Sequence, residues 1–128
     1  MMETPRTVFQ PVKGTLSELL SRWARLEPGR CRHERACYLV NIGEHWHILC
    51  GDDNTLGALQ QSFLQVALQD ALAEHAFNWT LGVYDSSASA AITTDDKITY
   101  EITTHSEAMS LLWVYLETLS PTLCGLNA

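Results

Sequence analysis

Positive charge is almost missing from this chain beyond residue 35: from Ala36 onward eleven acids face Lys97 alone, a net −10. Nucleic-acid backbones and anionic membrane surfaces are bound through clustered Lys and Arg, so a body of this charge argues against both as general partners. The first 35 residues differ. Arg6, Lys13, Arg22, Arg25, Arg30, Arg32 and Arg35 stand there against four acids, a net +3. This basic third either packs beside the acidic body or meets an acidic partner. Long apolar runs are also missing. No stretch approaches the ~20 residues that a membrane span needs, and Met1 to Lys13 has no apolar block of the signal-peptide kind. The expected location is therefore cytoplasmic, where Cys31, Cys37, Cys50 and Cys124 are free thiols. Four cysteines are too few for a disulfide scaffold in 128 residues.

Catalytic signatures are scarce as well. There is no P-loop and no dinucleotide fingerprint. His105-Ser106 has no G-x-S-x-G elbow around it, so it reads as an exposed helix entry rather than a hydrolase centre. Asp52-Asp53-Asn54 lacks the spacing and glycine of a calcium loop and reads as helix capping. Asn78-Trp79-Thr80 fits a glycosylation sequon but lies inside an expected strand. The densest chemistry is Cys31-x-His33-x3-Cys37 followed by His45-x-His47-x2-Cys50. Its spacing matches no usual zinc knuckle. Buried thiols with surface histidines are the reading preferred over a metal site, and no cofactor is expected. Asp70, on an apolar helix stripe, is read as an arginine partner or an edge residue before a perturbed acid or base.

What is present is globular: 46% apolar and 18% charged residues, in a length that suits one domain. Residues 1–13, interrupted by Pro5 and Pro11, read as an arm, 14–120 as one α+β domain and 121–128 as a tail. Thr15 and Glu18 form a capping box. Leu16, Leu19, Leu20, Trp23 and Leu26 then recur at helical spacing until Pro28-Gly29. Residues 30–35 are irregular or one short strand. Ala36 to Ile42 and His45 to Gly51 read as strands around a type II′ turn at Gly43-Glu44. That register pairs Asn41 with Trp46, Leu39 with Ile48 and Cys37 with Cys50 on the expected core face. Leu56 to His75 reads as a long helix whose stripe of Leu56, Leu59, Phe63, Val66 and Ala67 is widened by Leu64, Leu68 and Ala71, an arc broad enough for burial on more than one side. Phe77 to Asp85 alternates as a half-buried strand. Ala88 to Thr94 and Ile98 to Thr104 are strands around Asp95-Asp96. A last helix is expected from Thr104, with Glu107 completing a second capping box, and with Trp113 pointing away from its inner face as an interface hint. The expected architecture is an antiparallel sheet of about five strands with three helices.

Three stretches, Leu16 to Ala24, Trp46 to Gly51 and Thr80 to Ala90, with the final helix, resemble the customised chaperones of bacterial type III secretion, the family of the Tir chaperone. The likeness is of pattern and order over Thr15 to Leu119. It departs at 30–37, where the first of the family's three strands is not evident, and at the Thr-rich strand 98–104. The resemblance implies a non-enzymatic homodimer that binds the N-terminal region of a secreted effector in extended form, without ATP. It implies effector-binding residues Leu19, Leu20, Trp23, Tyr38, Val40 and Leu49, and dimer contacts Leu59, Phe63, Val66, Leu81 and Val83. For each residue singly, plain core is the competing reading. Competing functions are another protein-binding accessory or inhibitor module, and a small metal-binding enzyme or sensor built on residues 31–50.

Overall fold

The computed structural model describes residues 6–10, 15–51, 56–94 and 96–120. It is α+β, with three helices and two sheets. The elements run β1 (Arg6–Gln10), α1 (Leu16–Leu26), β2 (Cys31–Glu34), β3 (Cys37–Ile42), β4 (His45–Gly51), α2 (Ala58–His75), β5 (Asn78–Tyr84), β6 (Ser87–Thr93), β7 (Ile98–Thr104) and α3 (Glu107–Leu119). The expected single sheet is instead divided. The antiparallel meander β2-β3-β4 forms one sheet, and β5-β6-β7, extended by β1 in parallel with β7, forms the other. A strand thus occupies part of the stretch read as an arm. The expected tail, the arm outside Arg6–Gln10, the Asp52 to Thr55 capping run and Asp95 lie outside the described residues.

α1 forms as its sequence dictates. The Glu18 N–H donates to Thr15 Oγ1 (3.2 Å) and the Thr15 N–H donates to Glu18 Oε1 (3.0 Å), satisfying two orphan donors reciprocally. Its inward stripe is Leu16, Leu19, Leu20 and Trp23.

β2 was hard to see because its turn has no turn-forming residue. Arg35 and Ala36 join β2 to β3 with φ of 53° and 61°, a left-handed pair that normally calls for Asn or Gly. The next turn corrects the type II′ expectation. Gly43 and Glu44 both have positive φ, 59° and 69°, which is the type I′ pattern. Each L-residue held there costs on the order of 1 kcal/mol.

The core face of this meander is the opposite of the expected one. Tyr38, Val40 and Leu49 are buried, whereas Ile48 is 63% exposed. Leu49 is an extra residue on β4: Leu39 pairs with Ile48 but Tyr38 pairs with Cys50, so Cys37 meets Gly51 rather than Cys50. A bulge of this kind re-aims the side chains beyond it.

α2 is also rotated relative to expectation. It buries Leu64, Ala67, Leu68, Ala71 and Leu72, the i, i+3, i+4, i+7, i+8 set. Leu59 and Val66 are exposed. Gly57 caps it without a side-chain bond, and it ends on Ala76 in the left-handed conformation.

α3 lies in the middle of the molecule. Every residue from Leu111 to Glu117 is buried, including Trp113, which was expected to point outward. Its N-cap is Ser106, whose hydroxyl accepts from the Met109 N–H (3.3 Å). The expected Thr104–Glu107 box does not form because Thr104 ends β7. There its hydroxyl bonds to Ser110 Oγ (2.7 Å), and Ser110 Oγ donates to the Ala88 carbonyl (2.8 Å). These buried bonds pin α3 to β6 and β7, over a floor of Ala88, Ala90, Ile92 and Ile102.

Leu68→Ala empties a fully buried site and is expected to lower the unfolding free energy by about 2–5 kcal/mol. Urea denaturation of the variant and the parent measures it.

Candidate binding surfaces

Three helices converge on one carboxylate. Glu27 follows Trp23 by one helical turn, so the indole Nε1–H reaches Glu27 Oε1 (3.0 Å). From α3 the Tyr115 hydroxyl donates to the same oxygen (2.7 Å), and from the end of α2 His75 Nε2 lies 3.2 Å from Oε2. Arg30 stands 3.6 Å from Glu27 and extends to Asp70 (3.9 Å) and Glu74 (2.7 Å) on α2. Burial raises the Glu27 pKa. The bonds from Tyr115, Trp23 and His75 and the Arg30 charge outweigh it and hold the carboxyl below its ordinary range. Burial, then the bond to Glu27, push the Tyr115 phenol up. A second clasp joins α1 to the C-terminal end of α3. Arg22 donates to the carbonyls of Leu116 and Ser120 and pairs with the buried Glu117, placing a cation at the helix's negative end.

Beside Glu27 opens a polar cleft of about 520 Å³, lined by Glu27, Gly29, Arg30, Asn41, Gly43, Glu44, Asp70 and Glu74. The lining carries no hydroxyl or thiol nucleophile, and three of its four carboxylates share Arg30. Asp70 is thus the arginine partner anticipated from sequence. His105 is exposed and Ser106 is committed to capping.

The Cys/His stretch is dispersed over its sheet. Cys31 is buried with its thiol 3.6 Å from the Leu20 carbonyl. His33 stacks on Tyr38 at 4.3 Å and His47 lies on Phe63 at 4.9 Å. Cys37 is partly exposed and His45 is exposed. Among the described residues no group of three or more His, Cys, Asp or Glu is placed to hold a metal ion. The Cys50 side chain lies outside the described residues.

The six expected effector-binding residues do come together, but inside the core. Leu19, Leu20, Trp23, Tyr38, Val40 and Leu49 are all 5% exposed or less. α1 packs on β2, with Ser17 and Ser21 bonded to Tyr38 of β3, and α2 packs on β3 and β4, so these residues line no open groove. The dimer candidates separate into two places. Leu59, Phe63 and Val66 lie on α2, which packs on α3, β3 and β4, whereas Leu81 and Val83 lie on β5 in the other sheet. Leu59 is 62%, Val66 46% and Val83 60% exposed; Phe63 and Leu81 are half-buried against the core.

The outer face of α2 is a surface of distinct character. From Leu56 to Gln69 there is no charged residue. A shallow groove of about 230 Å³ runs over Ser62, Gln65, Val66 and Gln69. Glu27 was missed in sequence because its local signals are only the i, i+4 spacing from Trp23 and the i, i+3 spacing to Arg30; Tyr115 and His75 arrive from distant helices.

The chain matches no known family, no curated protein and no solved structure. No helix among the described residues is long and apolar enough to cross a membrane.

Two outcomes follow. Trp23→Ala removes a fully buried indole and is expected to cost about 3–5 kcal/mol in urea denaturation. Glu27→Gln keeps the shape of the junction and removes its charge. Because the folded Glu27 pKa is depressed, its contribution is present above the unfolded value of 4.5 and is lost as pH falls through the folded value. Parent and variant are expected to differ by about 1–2 kcal/mol at pH 7 and to converge as the pH drops below 4.5. A pH series of urea titrations reads both.

Proposed function

We propose that this chain is a non-catalytic, cytosolic protein-binding chaperone of the customised type III secretion kind. It acts as a homodimer that holds the N-terminal region of one secreted effector in an extended, secretion-competent state. The observation that carries this reading is the outer face of α2. Leu59 and Val66 are solvent-exposed on a helix face with no charge between Leu56 and Gln69, in a chain of net charge −7. An exposed apolar face bordered by polar surface is the mark of a site that another protein covers. The element order from α1 onward, helix, strand meander, long helix, strands, final helix, supports the same reading, with β2 supplying the strand not evident in the sequence.

On this reading the client lies on the outside of α2 and not in the space beneath α1, which the core fills. Apolar client side chains sit on Leu59 and Val66, and the glutamines and Ser62 beside them bond its backbone.

The test is capture from the native host with mass spectrometry, repeated with Val66→Glu. The parent is expected to bring down one much larger secreted protein and to bind its isolated N-terminal segment. Val66→Glu is expected to weaken that binding at least tenfold with unchanged circular dichroism. Equal binding by a folded Val66→Glu removes α2 as the client site. A client-free monomer carrying stoichiometric metal would reject the chaperone reading altogether.

A further inference from the structure

The arginines of the basic first third divide into two sets. Arg22 and Arg30 pack against the acidic body: Arg22 pairs with the buried Glu117, and Arg30 with Glu27, Asp70 and Glu74. Arg25, Arg32 and Arg35 stay exposed. Among the described residues, Arg25 and Arg35 meet no acid within ion-pair distance. Arg32 meets Glu34 at 3.7 Å, with the two side chains 50% and 58% exposed. That separation exceeds a hydrogen bond and leaves the guanidinium donors open to another acceptor.

Arg25 and Arg32 line one groove. It runs between the second half of α1 and β2, with a volume of about 360 Å³, and Ser21, Ala24, Pro28 and His33 complete much of its lining. β2 is the outer strand of its sheet, bonded to β3. Arg32 is held in place there. Its guanidinium carbon lies 4.3 Å from the centre of the Trp46 ring, a cation–π contact. A guanidinium laid on an aromatic face keeps its edge N–H groups free, and that planar fork matches a carboxylate. A side chain already held in place loses less entropy on binding. Arg25 stands in the last turn of α1, where its charge also suits the negative end of the helix.

We infer that this groove docks an acidic, extended peptide segment of a partner protein, with carboxylates on Arg25 and Arg32. Charge complementarity identifies the occupant. Within the lining the two arginines stand against Glu34 alone, and Arg35 adds a further positive charge at the β2–β3 turn. From Ala36 onward the chain has eleven acids against one lysine. An acidic segment is therefore repelled by the body and admitted at this corner, and that contrast fixes where it docks. A long polyanion such as nucleic acid runs on to the acidic body, so a short acidic segment fits better. The site shares no residue with the outer face of α2. It rests neither on the client nor on the homodimer of the proposed function.

The test is fluorescence anisotropy of a short labelled peptide of alternating glutamate and serine, titrated with the full chain. The same peptide with glutamine for glutamate is run beside it. The glutamate peptide is expected to bind saturably, about tenfold tighter than the glutamine peptide, and to weaken as salt rises. Arg25→Gln combined with Arg32→Gln is expected to weaken it about tenfold with unchanged circular dichroism. Arg32→Lys keeps the charge without the fork and is expected to bind between the parent and Arg32→Gln. Val66→Glu, on α2, is expected to bind this peptide as the parent does, which separates the site from the proposed client surface. Backbone amide NMR supplies a reading that needs no variant: on adding the glutamate peptide, shifts are expected from Ala24 to Glu34 and not from Leu59 to Gln69. No binding, equal binding of the two peptides, shifts confined to α2, or parent-like binding by the folded double variant overturns the inference. Tighter binding of inorganic phosphate or of a single-stranded DNA oligonucleotide also overturns it, in favour of a phosphate site.

Discussion

A helix buried all round must find apolar neighbours on every side, and α3 imposes that requirement on this fold. One side is met by the small-residue floor of β6 and β7, where Ala88 and Ala90 let the helix approach closely. The other is met by α1 and α2, whose buried stripes are narrow and single-sided. The β2-β3-β4 meander then packs on α1 and α2 rather than on α3 itself. The layers follow from one segment that cannot face water, and the polar clasps at Arg22 and Glu27 fix α1 against it.

Much of this was legible in the sequence, and the failures have specific causes. The capping box at Thr15, the three helices, the β3–β4 hairpin and the strands 78–84, 87–93 and 98–104 all announce themselves through local chemistry. β2 did not, because Arg35 and Ala36 adopt a turn conformation that their side chains do not favour. The meander's core face was misjudged because both faces carry apolar residues: Leu39, Trp46 and Ile48 on one, Tyr38, Val40 and Leu49 on the other. Only the packing of α1 and α2 on one face decides between them, and that is a tertiary fact. Trp113 was misplaced for a related reason. A helix buried on all sides has no polar face from which periodicity can be read.

The candidate surfaces show the same division. Which residues are apolar was plain. Which of them are core and which are exposed depended on the rotation of α2 and the placement of α1. Glu27 drew no attention as one carboxylate among fifteen acids, yet it gathers donors from three helices. By contrast, the missing charge along α2 up to Gln69 is written directly in the sequence. It acquires meaning only once the structure shows that this face is open.

The parallel pairing of β1 with β7 bears on how the molecule is made. Arg6 lies beside Ile98 and Gln10 beside Ile102, so β1 leaves the ribosome long before its ladder partner β7 has been made. The helices and both antiparallel meanders are built from neighbours in sequence and have no such wait. β1 is therefore the closing piece of the sheet. Until it arrives, β7 presents a bare edge, and a nascent chain of this protein carries two open strand edges on one sheet where the finished molecule carries its own strand on one of them.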